Sequence, residues 1–165
     1  MLKFYDYNVT NNLEVPYEVC LNYHIAECQN NCAGCFSPEL RETTDILLSD
    51  VYEDILMAYS ERITCVCFLG EGKNTSDEHK DFKKICEHIH SLGFRTCLYC
   101  GRDCSIEEWM YCFDYIKVGS YKPEYGDLSM KTTNQKLFRK IENGYEEITY
   151  LFWMEESNEH NNLSQ

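Results

Sequence analysis

From residue 49 to residue 118, short apolar runs alternate with stretches of helical periodicity, and this alternation limits the fold more than any other feature of the chain. Ile63 to Leu69 is an unbroken apolar run containing Cys65 and Cys67, the pattern of a strand buried on both faces. It ends at Gly70-Glu71-Gly72, a flexible turn. Before it, a helix is expected over about 49–59, with Val51, Ile55 and Ala58 on one face and Ser49 or Asp50 placed to cap the free amides. After it, Phe82, Ile85, Cys86, Ile89 and Leu92 recur at three and four residues, with Gly93 where a left-handed C-cap belongs. Phe94 to Tyr99 reads as the next strand, Ser105 opens a short helix with Glu108 completing a capping box, and Tyr115 to Val118 is a further strand.

Strands alternating with helices give a parallel sheet with right-handed crossovers. Upstream, Val19, Leu21 and Tyr23 share one face of the run Glu18 to His24, which supplies the first strand. The first dozen residues read as a lead-in and Ser120 to Arg139 as a loop. Tyr145 to Trp153 reads as a last strand after a turn at Asn143-Gly144, and residues 155–165 as a polar, frayed tail. A full eight-unit barrel takes about 250 residues, so a chain of 165 holds only part of one. The expected fold is therefore α/β: a single domain over 1–154, built as a partial, open βα barrel with a mainly parallel sheet.

The formal charge of −13 argues against nucleic acid, because phosphate binding wants clustered Lys and Arg. No apolar run approaches the roughly 18 residues of a membrane span, and the N-terminus lacks a signal-peptide core, so a cytoplasmic protein with no membrane partner is expected. Eleven cysteines is an odd count. A chain of this length with no export signal is expected to hold reduced thiols, some of them binding metal, not a disulfide scaffold.

Three of those thiols stand within eight residues, directly after the first strand: Cys28, Cys32 and Cys35, spaced C-x3-C-x2-C. Ligands of α/β proteins gather at such strand ends. Three thiolates can hold three irons of a [4Fe–4S] cube and leave the fourth free for another ligand. Zinc prefers four ligands, and His24 or a distant Cys could supply the fourth, so the spacing alone leaves zinc open. A second set, Cys97, Cys100 and Cys104, mirrors the first as C-x2-C-x3-C. Strand alternation turns these thiols apart, so they read as packing sulfurs before an auxiliary metal site. Cys65 and Cys67 read as small core hydrophobes. His79, His88 and His90 lie off the apolar face of their helix and are expected in solvent. Lys117 ends a strand beside the cysteine loop and could meet a carboxylate.

The motif Cys28-x3-Cys32-x2-Cys35-Phe36 resembles the signature of the radical S-adenosylmethionine superfamily. Longer phrases narrow the likeness. Val15-Pro16-Tyr17-Glu18, Cys28 through Leu40, Asp114-Tyr115-Ile116-Lys117-Val118-Gly119-Ser120-Tyr121 and Thr132-Thr133-Asn134-Gln135-Lys136-Leu137 resemble the activating protein of anaerobic (class III) ribonucleotide reductase. The resemblance implies a [4Fe–4S] cluster on Cys28, Cys32 and Cys35, with S-adenosylmethionine on its open iron. It implies contacts to that cofactor from Gly34 and Phe36, and from a Gly-Gly-Glu turn whose place is taken here by Leu69-Gly70-Glu71, with Leu69 replacing the first glycine. The implied activity is reductive cleavage of S-adenosylmethionine to a 5′-deoxyadenosyl radical that takes a hydrogen atom from a glycine of the partner. The implied partners are the reductase catalytic subunit and an electron donor such as a flavodoxin or ferredoxin. Other radical enzymes of the superfamily, and a non-catalytic cysteine-rich metal module, are the rival readings.

Overall fold

A computed structural model describes residues 1–30, 32, 35 and 37–154. Among the described residues seven strands form one open sheet whose spatial order is the order of the chain: β1 (Phe4–Asn11), β2 (Val19–Ile25), β3 (Cys65–Leu69), β4 (Arg95–Tyr99), β5 (Tyr115–Val118), β6 (Lys136–Ile141) and β7 (Gly144–Glu147). The centre, β2 to β5, is parallel. β1 joins one edge antiparallel to β2, and the β6–β7 hairpin joins the other antiparallel to β5. The sheet is thus mixed, with a parallel core and antiparallel margins.

The crossovers carry α1 (Leu48–Tyr59), α2 (Ser76–Ser91) and a 3₁₀ turn (Glu108–Cys112). A strand order that never reverses keeps successive right-handed crossovers on one face. Their apolar residues accordingly share one core with Leu21, Tyr23, Val66, Phe68, Leu98 and Ile116 of the sheet. On the opposite face Val15, Cys20, Cys65, Cys67, Cys97, Leu137 and Ile148 form a second, smaller core. Each parallel strand is buried on both sides, as the unbroken apolar run of β3 requires.

Several local expectations change. The opening dozen residues are no lead-in: Phe4 to Asn11 pair along β2, and what hid the strand is its exposed edge, where most side chains face water. The end of the expected loop over Ser120 to Arg139 is strand, because β6 pairs β5 from Lys136 onward. The last expected strand stops at Glu147. There the Leu137 carbonyl accepts from Ile148 N–H, the Thr149 hydroxyl accepts from Leu137 N–H, and the chain turns away into one helical turn over 151–154. The short helix after Ser105 is the 3₁₀ turn capped by Glu107, not by Ser105 with Glu108. The expected tail, 155–165, lies outside the described residues.

α2 is set by Thr75, whose side chain accepts from Glu78 N–H, and closes at Gly93, which takes φ 92° with no Cβ to resist it. α1 follows Leu47 as N-cap with no side-chain cap; Ser49 and Asp50, expected to cap it, lie inside its first turn, and burial of Leu48, Tyr52 and Leu56 holds it. Among the described residues no helix is long and apolar enough to cross a membrane.

Candidate functional site

At the C-terminal ends of the parallel strands, His24, Leu69, Tyr99 and Lys117 stand in one cross-strand row. The cysteine loop leaves the sheet here. Its stem is clamped by backbone hydrogen bonds, Glu27 N–H to the Glu42 carbonyl at 3.0 Å and Cys28 N–H to the Leu40 carbonyl at 2.8 Å. Glu27 adopts φ 66°, so the chain swings sharply off β2 before the first cysteine. Further along, Arg41 Nη2 donates to the Cys32 carbonyl at 3.2 Å.

This arrangement walls a cavity of about 190 Å³ whose lining includes Cys28, Cys32, Cys35, Leu69, Gly70, Tyr99, Gly101, Lys117 and Gln135. Across Tyr99, Lys117, Tyr121 and Gln135 it adjoins a larger recess of about 670 Å³ bounded by Asn12, Leu13, Glu14 and Leu128. Together they reach the size range of cofactor sites, roughly 300–1,000 Å³. Two glycines make the walls. Gly70 takes φ 120°, and a Cβ there would lie 3.3 Å from the Ile25 carbonyl oxygen. At Gly101 a Cβ would come 2.8 Å from Asn30 Nδ2, so the loop after β4 lies close against the cysteine loop and a side chain there would displace the Asn30 amide.

The thiols and the lysine dominate the electrostatics. Burial pushes the Cys28 thiol up; a hydrogen bond from Asn30 N–H opposes this, and the nearby Cys35 and Cys32 add to it. Lys117 is buried, with Nζ donating to the carbonyls of Gly119 at 3.0 Å and Cys100 at 3.2 Å and lying 5.2 Å from the centre of the Tyr99 ring. Burial holds its pKa below the ordinary lysine range, against the pull of nearby thiols. No carboxylate among the described residues pairs with it. A buried cation satisfied only by carbonyls and a ring face is suited to receive an anionic group.

Of the residues singled out in the sequence, the structure brings Cys28, Cys32, Cys35, Gly70 and Lys117 to one cavity. Glu71 is adjacent in sequence but not in its lining: its buried carboxylate accepts from Arg102 Nε at 2.9 Å and Nη2 at 2.8 Å. Gly34 and Phe36 lie outside the described residues. His24 Nε2 donates to Asn8 Oδ1 at 3.0 Å, across to β1, not toward the loop. The helix histidines are not simply solvated. His79 stacks on Trp109 with ring centres 4.0 Å apart, His88 Nδ1 bonds the Tyr52 hydroxyl at 2.7 Å, and His90, although exposed, bonds Asp114 at 2.9 Å. Their place off the apolar stripe of α2 hid the neighbours supplied by α1, the 3₁₀ turn and β5. Cys97 packs in the cavity-side core while Cys100 packs under the helices, so the second cysteine set is divided between faces. Tyr99 and Gln135 were missed as lining residues. Tyr99 could have been found from its parity with Cys97, and Gln135 from its place in the Thr-Thr-Asn-Gln phrase.

The donor set suits an iron–sulfur cluster in kind: three half-buried thiols on one wall, with no carboxylate in that wall. Among the described residues, no three His, Cys, Asp or Glu side chains are already gathered in a metal-holding arrangement. No family model matches the chain, and neither the curated proteins nor the solved structures give a significant match.

Proposed function

We propose that this chain is a radical S-adenosylmethionine enzyme, the glycyl-radical activase of an anaerobic ribonucleotide reductase. The observation that carries the proposal is the shared cavity of Cys28, Cys32, Cys35, Gly70 and a buried Lys117 with which no carboxylate among the described residues pairs. Cys28, Cys32 and Cys35 would hold three irons of a [4Fe–4S] cluster. When bound, that cluster with S-adenosylmethionine supplies reductive cleavage to methionine and a 5′-deoxyadenosyl radical, which takes a hydrogen atom from a glycine of the reductase. The protein's own part is to bind, orient and exclude water. Lys117 would neutralise the carboxylate of the methionine moiety, and backbone carbonyls of the turn at Gly70 would accept from its ammonium. Gly34 and Phe36 would add contacts from the loop. Leu69 and Tyr99 would shield the site from water. The adjoining recess past Tyr99 and Gln135 would admit the glycine-bearing segment of the partner, with a flavodoxin or ferredoxin as electron donor in the cytoplasm.

The test is anaerobic reconstitution with iron and sulfide, followed by electron paramagnetic resonance with and without S-adenosylmethionine. The expected result is a reduced cluster signal that the cofactor perturbs, 5′-deoxyadenosine formation lost in Cys32→Ala, and a glycyl radical in the class III reductase. A sample that takes up zinc but never iron and sulfide overturns the proposal. Cofactor cleavage with no radical in the reductase overturns the partner and leaves another radical enzyme of the superfamily.

A further inference from the structure

We infer that Cys100 and Cys104 are a modification site, a thiol pair that closes to a reversible disulfide on exposure to peroxide. Their sulfurs are 3.6 Å apart, against about 2.05 Å in a disulfide, so a modest rotation joins them. The two differ in the way such a pair requires. Cys104 is partly exposed, whereas Cys100 is fully buried at the end of β4. Cys20, Cys65, Cys67 and Cys97 are all buried without exposure to an oxidant. Buried Cys86 with partly exposed Cys112 is the competing pair, which the peptide map below distinguishes.

The chemistry balances with hydrogen peroxide as oxidant. Cys104 attacks one peroxide oxygen, the O–O bond breaks, and the departing oxygen leaves as water, giving a sulfenic acid. The Cys100 sulfur then attacks the Cys104 sulfur, the S–O bond breaks, and the second oxygen leaves as water with the Cys100 proton. Two thiols lose two electrons and two protons; peroxide becomes two waters. A dithiol reductant reverses the change by exchange. Burial raises both thiols, so access decides the roles: partly exposed Cys104 meets the peroxide and buried Cys100 resolves it.

The position gives the bond a consequence. The Cys100 carbonyl accepts from Lys117 Nζ, Gly101 lies against Asn30 of the cysteine loop, and the Arg102 carbonyl accepts from Gly119 N–H at 2.7 Å. A crosslink across 100–104 fixes one wall of the cavity.

The experiment treats the full-length chain, metal-free, with hydrogen peroxide and maps the products by non-reducing peptide mass spectrometry. The expected result is a peptide lighter by two hydrogens carrying a 100–104 disulfide, restored by dithiothreitol. It should be absent in Cys104→Ser and retained when Cys28, Cys32 and Cys35 are all serine. The triple variant separates this inference from the proposed function, since it cannot bear a cluster. Disulfides that map to Cys86–Cys112 or to the three loop cysteines instead, or over-oxidation of Cys104 with Cys100 still free, overturn it.

Discussion

Tyr23, Phe68, Leu98 and Ile116 form one cross-strand row on the helix side of the sheet; the residue before each, Asn22, Cys67, Cys97 and Tyr115, forms the row on the other side. The same four strands thus present two chemistries one residue out of phase. The helix side is aromatic and aliphatic, with Phe68 edge-on to both Phe82 and Phe113 at ring separations of 5.5 and 5.9 Å. The cavity side carries thiols, an amide and, one step further along β5, the buried Lys117. One side is selected for volume. The other gives up volume to leave a recess at the strand ends and accepts a buried charge beside it.

The largest effect that tests this contrast is Phe68→Ala. It removes a fully buried ring from the centre of the packed side, and the neighbouring aromatics cannot all collapse into the space. A loss of about 3–5 kcal/mol is expected from urea unfolding, read as a lower midpoint at an unchanged slope. A cost under about 1 kcal/mol would mean that the helix side is as loosely packed as the cavity side.

Lys117→Met probes the cavity side. Replacing a buried cation by an apolar chain of similar length is expected to leave stability unchanged or raised, because the desolvation cost disappears. On the proposed reading, S-adenosylmethionine affinity falls by about 2–5 kcal/mol, the cost of truncating one partner of a buried charge pair, measured by calorimetry on reconstituted protein. The pH dependence has a definite sign. The folded pKa of Lys117 lies below its unfolded value, so between the two the unfolded chain binds more protons. Wild-type stability therefore gains on Lys117→Met as pH rises from the folded pKa toward the ordinary lysine range. An opposite slope would show that Lys117 has an anionic partner in the folded chain.

The two sides were not equally legible in the sequence. The periodicity of α2 and the apolar run of β3 were read correctly because burial on a regular element leaves a repeat in the chain. β1 is hidden because most of its side chains face water, so burial leaves no repeat there, and β6 because its lysines and arginine resemble a loop. Within the site, the spacing of Cys28, Cys32 and Cys35 was visible. The enclosure of Lys117 was not, since it depends on Tyr99, Gln135 and the carbonyls of Cys100 and Gly119 meeting from separate segments. Glu71 shows the same limit from the other side: its partner Arg102 lies 31 residues away, and no local pattern links them.

That pair supplies the next test. Arg102→Ala leaves the nearly buried Glu71 carboxylate without its two donors and should cost about 1–3 kcal/mol. Glu71→Gln keeps the backbone of the turn, so S-adenosylmethionine binding should hold within about twofold if the carboxylate is a brace and the turn binds through its main chain. A large loss of affinity in Glu71→Gln with unchanged unfolding would make the side chain a ligand.

The smallest expected effect is Cys67→Ala. Cys67 lies opposite Asn22 and Cys97 in the cavity-side row and is wholly buried, and burial raises its thiol far above the ordinary cysteine range. It is therefore a neutral, slow-reacting sulfur that fills space. Deleting one sulfur beside other small side chains removes little dispersion contact, and the wall can settle toward the gap. The expected cost is about 1 kcal/mol, in the range of a single buried methylene, with iron uptake after reconstitution equal to wild type. A cost above about 3 kcal/mol would place Cys67 in packing as tight as that of Phe68 one residue along. A fall in iron content would instead make the thiol wall part of the metal chemistry, and the division between a packing face and a binding face would then run within the cavity side, not between the two sides of the sheet.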